Sequence, residues 1–247
     1  MRYGMNCPEN QAFIGLPECF SATAREAIAI DGHVFQIDRP ADPTAVFAHP
    51  AVKAVNSADE YLPHWIKLWP AARMLAAAIM REPWETYPQM SPGTPLDVLE
   101  LGCGLGLAGI AVLARGLRVT FSDLDETALI FAANNARLNG FTNFHTLPLD
   151  FRNPQAEVKY PVVIGSDLIY QDRLVRPLVG LLRAVLAPDG VCLISDPNRP
   201  DGKRFQWHLG EAGFTVECSP VSLEEPGRQA IAGTLYRIRF AIRKTGW

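Results

Sequence analysis

Between Val98 and Gly106 the chain reads Val98-Leu99-Glu100-Leu101-Gly102-Cys103-Gly104-Leu105-Gly106. An apolar strand that breaks into glycines and then opens a helix can hold a ligand against bare backbone, because glycine has no side chain to keep the ligand away. The N–H groups of the first helical turn face that ligand and favour negative charge. Gly104, Gly106 and Gly109 also satisfy G-x-G-x-x-G, a dinucleotide fingerprint that is weak alone. Asp123 closes the next apolar run, where a carboxylate can accept hydrogen bonds from both hydroxyls of a ribose. Asp125 is the better candidate to cap the helix that starts at Glu126. Asp150 follows a third run, ahead of Arg152-Asn153-Pro154, and suits a turn equally well. Asp167 and Tyr170 lie in Gly165-Ser166-Asp167-Leu168-Ile169-Tyr170, after a fourth run. Ligands of open α/β sheets sit beyond the carboxyl ends of strands, so this acid and phenol are expected at the reacting end of whatever binds.

These side chains need strands and helices in alternation to bring them together. The pattern predicts strands over 96–101, 118–122, 144–149, 162–165, 191–195 and 214–218. Between them it predicts helices over about 107–115, 126–139, 174–186 and 203–212, with Gly116, Gly140 and Gly213 as stops and Pro188-Asp189-Gly190 as a turn. Strands that are apolar without alternation, spaced by helices, indicate a parallel sheet covered on both faces. The last run, 235–242, alternates Tyr236, Ile238, Phe240 and Ile242 with Arg237 and Arg239, as expected of an edge or antiparallel strand. Upstream, Asp31-Gly32 between Ala27–Ile30 and His33–Ile37 predicts a hairpin, because both turn positions favour positive φ. Pro70 opens a run of helix formers that predicts a helix to Arg81. The prolines from Pro83 to Pro95 mark a connecting loop.

At 247 residues, 48% hydrophobic and 20% charged, the chain is a globular protein with one large core or two small ones. A net charge of −3 offers no general field for nucleic acid or an anionic membrane, and no apolar run approaches the ~20 residues needed to span a bilayer. The first residues lack a signal-peptide core, and the 5 cysteines have no metal-ligand spacing, so reduced thiols and a cytoplasmic location are expected. The histidines, His64 among them, show no ligand spacing and read as surface or local hydrogen-bonding groups; no metal is expected. No serine-hydrolase elbow and no Walker lysine are present.

With Glu100 two residues ahead of Gly102 and Gly104, the first motif is E-x-G-x-G, which resembles the opening motif of the seven-stranded S-adenosylmethionine-dependent methyltransferases. Asp167-Leu168-Ile169-Tyr170 resembles the acidic-x-x-Tyr motif of their protein-lysine methyltransferase branch, not the Asn-Pro-Pro-aromatic motif of enzymes that methylate DNA bases. Trp65-Ile66-Lys67-Leu68-Trp69-Pro70 resembles the segment that covers the methionine part of the cofactor. Asp196-Pro197-Asn198-Arg199 resembles a D-P-x-R element of bacterial relatives of the electron-transfer-flavoprotein lysine methyltransferases. The likeness runs from about Trp65 to Gly213; the first sixty residues match nothing recognised.

The resemblance implies an α/β, doubly wound, mostly parallel seven-stranded sheet over 96–247, and the predicted hairpin and helix make residues 1–82 an extension packed on it. It implies S-adenosyl-L-methionine held by Trp69, Glu100, Gly102, Cys103, Gly104, Asp123, Leu124, Asp150, Phe151 and Ser166, with Asp150 at the adenine amino group and the Phe151 N–H at a ring nitrogen. It implies Asp167 and Tyr170 as the catalytic pair, and as acceptor a lysine of another protein or, alternatively, a small-molecule amine or other heteroatom. The residues themselves leave open an NAD(P)-dependent oxidoreductase, or a domain of this shape that binds without catalysing.

Overall fold

The computed structural model describes residues 22–50, 52–53, 62–87, 95–153, 158–224 and 230–241. The proline-rich stretch 88–94 and two cysteines, Cys7 and Cys19, lie outside the described residues. The first elements among the described residues are strands β1 (Thr23–Ile30) and β2 (His33–Pro40), paired antiparallel with Ile30 opposite His33. Asp31 and Gly32 have φ of 47° and 79°, so both positions of the predicted turn are left-handed. A short helix α1 (Pro43–Ala48) follows, capped by Asp42, and then α2 (Pro70–Arg81), which begins on the predicted proline.

The alternation that follows is β3 (Asp97–Leu101), α3 (Leu107–Ala114), β4 (Arg118–Asp123), α4 (Glu126–Leu138), β5 (Phe144–Pro148), β6 (Tyr160–Ser166), α5 (Asp172–Val185), β7 (Leu186–Asp196), α6 (Gly202–Glu211), β8 (Phe214–Leu223) and β9 (Ile231–Phe240). The predicted stops hold: Gly116, Gly140 and Gly213 all have positive φ. The turn expected at Pro188-Asp189-Gly190 is instead a register break inside β7, whose pairing with β6 jumps from Tyr160–Leu186 to Val162–Val191. Four residues of β7 there face one of β6, so the strand continues past the bulge.

Among the described residues the sheet has seven strands in the order β5-β4-β3-β6-β7-β9-β8, parallel from β5 to β7. β9 runs antiparallel between β7 and β8, so the alternating last strand is antiparallel but is not the edge; β8 is. Alternate residues enter different cores. Val98, Val119, Phe121, Val162, Ile164 and Leu193 join the hairpin, α2, α3 and α4 on one face. Leu99, Leu101, Val163, Cys192 and Ile194 join α5 and α6 on the other. That double burial is why these strands read as apolar throughout.

The hairpin is docked by side chains that imitate a strand. On α4, Asn135 and Asn139 are one helical turn apart. The Asp38 N–H donates to Asn135 Oδ1 at 2.8 Å and Asn135 Nδ2 donates to the Asp38 carbonyl at 3.0 Å. Asn139 makes the same reciprocal pair with Gln36 at 2.9 and 2.8 Å. Two amides thus satisfy an edge that would otherwise leave unpaired backbone groups against a helix. Ion pairs from Arg73 to Glu26 and from Arg81 to Asp31 tie the hairpin to α2.

Candidate active site

Chain order reverses between β3 and β6: β4 and β5 build outward on one side, β7 on the other. At such a switch point the loops leaving adjacent strands part and leave a crevice. A cavity of about 490 Å³ opens there, within the range of small-molecule sites.

One end is the turn between β3 and α3. Gly104 has a φ of 51°, so a side chain here would be strained, and Trp65 packs beside it, its Cβ 3.4 Å from where a Cβ on Gly104 would stand. Asp123, at the end of β4, accepts the Gly104 N–H on Oδ2 and the Asp125 N–H on Oδ1, each at 3.0 Å. Each oxygen keeps a lone pair, so the carboxylate can still receive the two hydroxyls of a ribose. Burial pushes its pKa up to about 6, against the pull of those N–H groups. Asp125 caps α4 through the Thr127 N–H at 2.8 Å, as its position predicted. Its other oxygen accepts Trp65 Nε1 at 2.6 Å, which fixes that indole over the glycine turn.

Glu100 is not part of the cavity wall. Its side chain is buried behind the turn and accepts the Gly109 N–H at 3.0 Å. A Cβ on Gly109 would lie 2.4 Å from Glu100 Oε2, so the third glycine of the run makes room for the acid. Burial holds the Glu100 carboxyl well above the usual range, with Asp123 pushing the same way. It braces β3 to α3. The other expected contacts, Trp69, Gly102, Cys103, Gly104, Asp123, Leu124, Asp150, Phe151 and Ser166, all line the cavity. Burial raises the Cys103 thiol well above its ordinary pKa, which leaves it neutral. Asp150 serves its turn through the Arg152 N–H at 2.9 Å and pairs with the Arg152 guanidinium, which holds its carboxyl low.

At the opposite end stand Asp167 and Tyr170. Asp167 has a φ of 56°, a left-handed conformation that aspartate tolerates better than most residues, and its N–H is held by the Ser195 carbonyl at 2.9 Å. Two residues that sequence reasoning did not assign to this end join them. His64, read as a surface or locally bonded histidine, lines the cavity with its ring centroid 5.2 Å from that of Tyr170. Burial lowers its pKa, so the imidazole is neutral near pH 7. Arg199 crosses from the loop after β7 and donates from Nε to Asp167 Oδ1 at 2.6 Å. The signal for Arg199 was present, since it too follows the carboxyl end of a strand. Nothing in the sequence marks His64, which reaches the site only because Trp69 Nε1 binds the His64 carbonyl at 2.7 Å and folds that segment over the cavity. Burial is the main cause raising the Tyr170 phenol, which therefore keeps its proton at neutral pH.

Among the described residues no three His, Cys, Asp or Glu side chains gather as a metal site, and no helix is long and apolar enough to cross a membrane.

Residues 64–208 match a protein family described as lysine methyltransferase. The protein-lysine N-methyltransferase rrg1 of Schizosaccharomyces pombe is 29% identical over 192 residues, covering 70% of this chain and 59% of the relative. The electron transfer flavoprotein beta subunit lysine methyltransferase of Danio rerio is 27% identical over 139 residues, covering 56% of this chain and 51% of the relative. The chain thus spans between about half and six-tenths of the length of these relatives. The crystal structure of a ribosomal protein L11 methylase from Lactobacillus delbrueckii subsp. bulgaricus shares the fold, with a TM-score of 0.52, 20% identity and coverage of 68% of this chain and 77% of that one.

Proposed function

The chain belongs to the lysine methyltransferase family, and from that premise we propose that it transfers a methyl group from S-adenosylmethionine to the side-chain amine of a lysine in another protein. The observation that carries this reading is one cavity with a glycine turn and a ribose-competent carboxylate, Asp123, at one end, and an acid and a phenol, Asp167 and Tyr170, at the other. When bound, S-adenosylmethionine would supply a methyl already activated by a positively charged sulfur, which would serve as the leaving group for an amine lone pair.

What the chain must supply is alignment and a neutral amine. Orientation of two reactants is worth roughly 7–11 kcal/mol. A lysine amine has a free pKa of about 10.4, so its neutral form at pH 7 costs about 5 kcal/mol. A cavity walled by Trp65, Trp69, Phe151 and Leu168 disfavours the ammonium by desolvation, and the sulfonium does so by like charge. Trp65 and Trp69 offer cation–π attraction of about 0.5–2 kcal/mol to a cation that meets their faces. Asp167 and the phenolic oxygen of Tyr170 accept the remaining N–H bonds and fix the lone pair; neither is needed as a strong base. Asp123 would hold the ribose, the Phe151 N–H and Asp150 the adenine, with Glu100 acting indirectly by bracing the turn. The segment from Leu62 to Ala72, ahead of the cofactor-binding core, acts as its cover. The free thiols of Cys103, Cys192 and Cys218 support the cytoplasm as the compartment.

The test is incubation with S-adenosylmethionine carrying a tritiated methyl and a protein extract, followed by mass spectrometry. Methyl-lysine in a defined protein is the expected product. Label only on a small amine would overturn the acceptor assignment. A melting temperature raised by NADH and not by S-adenosylhomocysteine would overturn the cofactor.

A further inference from the structure

Arg199 reaches the acceptor end because a folded turn aims it there. Asp196 closes β7 with its side chain buried, and its Oδ1 accepts the Arg199 backbone N–H at 2.7 Å. Asn198, between them, has a φ of 60°, and Thr234 of β9 donates to its Oδ1 at 2.7 Å. The guanidinium is thereby delivered to Asp167, with Nε and Nη2 each 2.6 Å from the same oxygen, Oδ1. Both contacts fall on Oδ1, which leaves Oδ2 to another donor. The Asp167 side chain is 8% exposed and that of Arg199 32%, so the pair stands half out of water, where its charges are felt.

A bare carboxylate beside a lysine stabilises the ammonium, and an ammonium has no lone pair to give. With a guanidinium on Oδ1 the pair carries no net charge, while Oδ2 keeps its capacity to accept an N–H. We propose that Arg199 is a positioning residue that masks the charge of Asp167, so that the carboxylate orients a neutral amine instead of trapping the protonated one; this rests on the methyl-transfer reading above. The other charged or titratable groups around the pair are His64 ahead of α2, Asp123 at the end of β4, Tyr170 and Arg173 after β6, and Asp196 on β7. His64 reports on the pair directly, since Asp167 draws its pKa up and Arg199 draws it down.

Arg199→Met keeps the apolar stem and removes the charge. One measurement needs no acceptor: the His64 imidazole is titrated by NMR, its signal assigned by its loss in His64→Gln. Deleting the cation and baring the anion should raise the His64 pKa by about one unit, and Arg199→Met with Asp167→Asn should bring it back. The second measures tritium transfer to Nα-acetyl-lysine amide across neutral to alkaline pH. Arg199→Met should lower kcat near neutrality about tenfold and move the acid limb of its pH profile upward by about one unit. The KM for the amine should fall, because bare Asp167 holds the ammonium more tightly, and Arg199→Lys should restore most of the wild-type profile. A merely structural role would raise KM as kcat fell. An unmoved His64 titration, or an unmoved acid limb, overturns the masking. If His64 shifts as expected and the wild-type protein transfers no methyl to the lysine probe, the masking stands and the lysine assignment fails.

Discussion

Along the glycine turn, the polar atoms that shape the cavity are largely backbone N–H groups and one carboxylate, Asp123, that reads them. Beyond β6 and β7 they are side chains from three separate segments: His64, Asp167 with Tyr170, and Arg199. The first end is a local product of one strand-turn-helix unit and its neighbour. The second exists only where three loops meet. A site built on rigid backbone suits a cofactor that is always the same, and a site built from converging side chains can be retuned to an acceptor by changing one loop.

The division can be broken most directly at the end built by Asp167 and Tyr170, where the proposal seats the acceptor. Asp167→Asn and Tyr170→Phe should each cut turnover about 100-fold, because orientation of the amine is lost. Both should leave the affinity for S-adenosylhomocysteine within about twofold of wild type, since neither removes a hydrogen bond to it. Calorimetry beside initial rates checks this; an equal loss in both would merge the two ends into one. Conversely, Asp123→Ala should weaken S-adenosylhomocysteine binding about 10- to 100-fold, the value of hydrogen bonds to a charged acceptor. Behind the same turn, Glu100→Ala should cost about 1–3 kcal/mol in urea denaturation, as the buried Gly109 N–H loses its acceptor, and Glu100→Gln should recover most of it.

The smallest effect sharpens the contrast by pH. The Asp123 carboxyl binds its proton more tightly in the folded chain, near pH 6, than at its ordinary 3.8. The folded state therefore holds the extra proton between those values, and stability falls as pH rises through the window. In the ligand-free protein the melting temperature should thus fall more steeply from about pH 4 to about pH 6 in the wild type than in Asp123→Ala, the variant that binds the nucleoside more weakly. Wild-type affinity should drop below about pH 6, where the acceptor becomes protonated. A pH-independent affinity would remove Asp123 from the nucleoside contact.

Most of the fold was legible because its cues are local. The Asp31-Gly32 turn, Pro70 at the start of α2 and the left-handed glycines after α3, α4 and α6 each act within a few residues, and the unbroken apolar strands announced two covered faces. The bulge at Pro188-Asp189-Gly190 read as a turn, because the same three residues serve both and only the facing β6 decides between them. The docking amides Asn135 and Asn139 gave no signal, since their partners lie about a hundred residues upstream.

The candidate site divides in the same way. Sequence alone determined the glycine turn, Asp123 and the Asp167–Tyr170 pair, because strand ends and glycine spacing fix where those atoms fall relative to their own backbone. It also suggested Glu100 as a ligand contact, and the fold turned that side chain behind the turn. Only the tertiary structure decided that His64 would close over Tyr170 and that Arg199 would seat on Asp167. Long-range contacts of this kind depend on how loops from distant strands are folded over one cavity, and no spacing within a single segment records that.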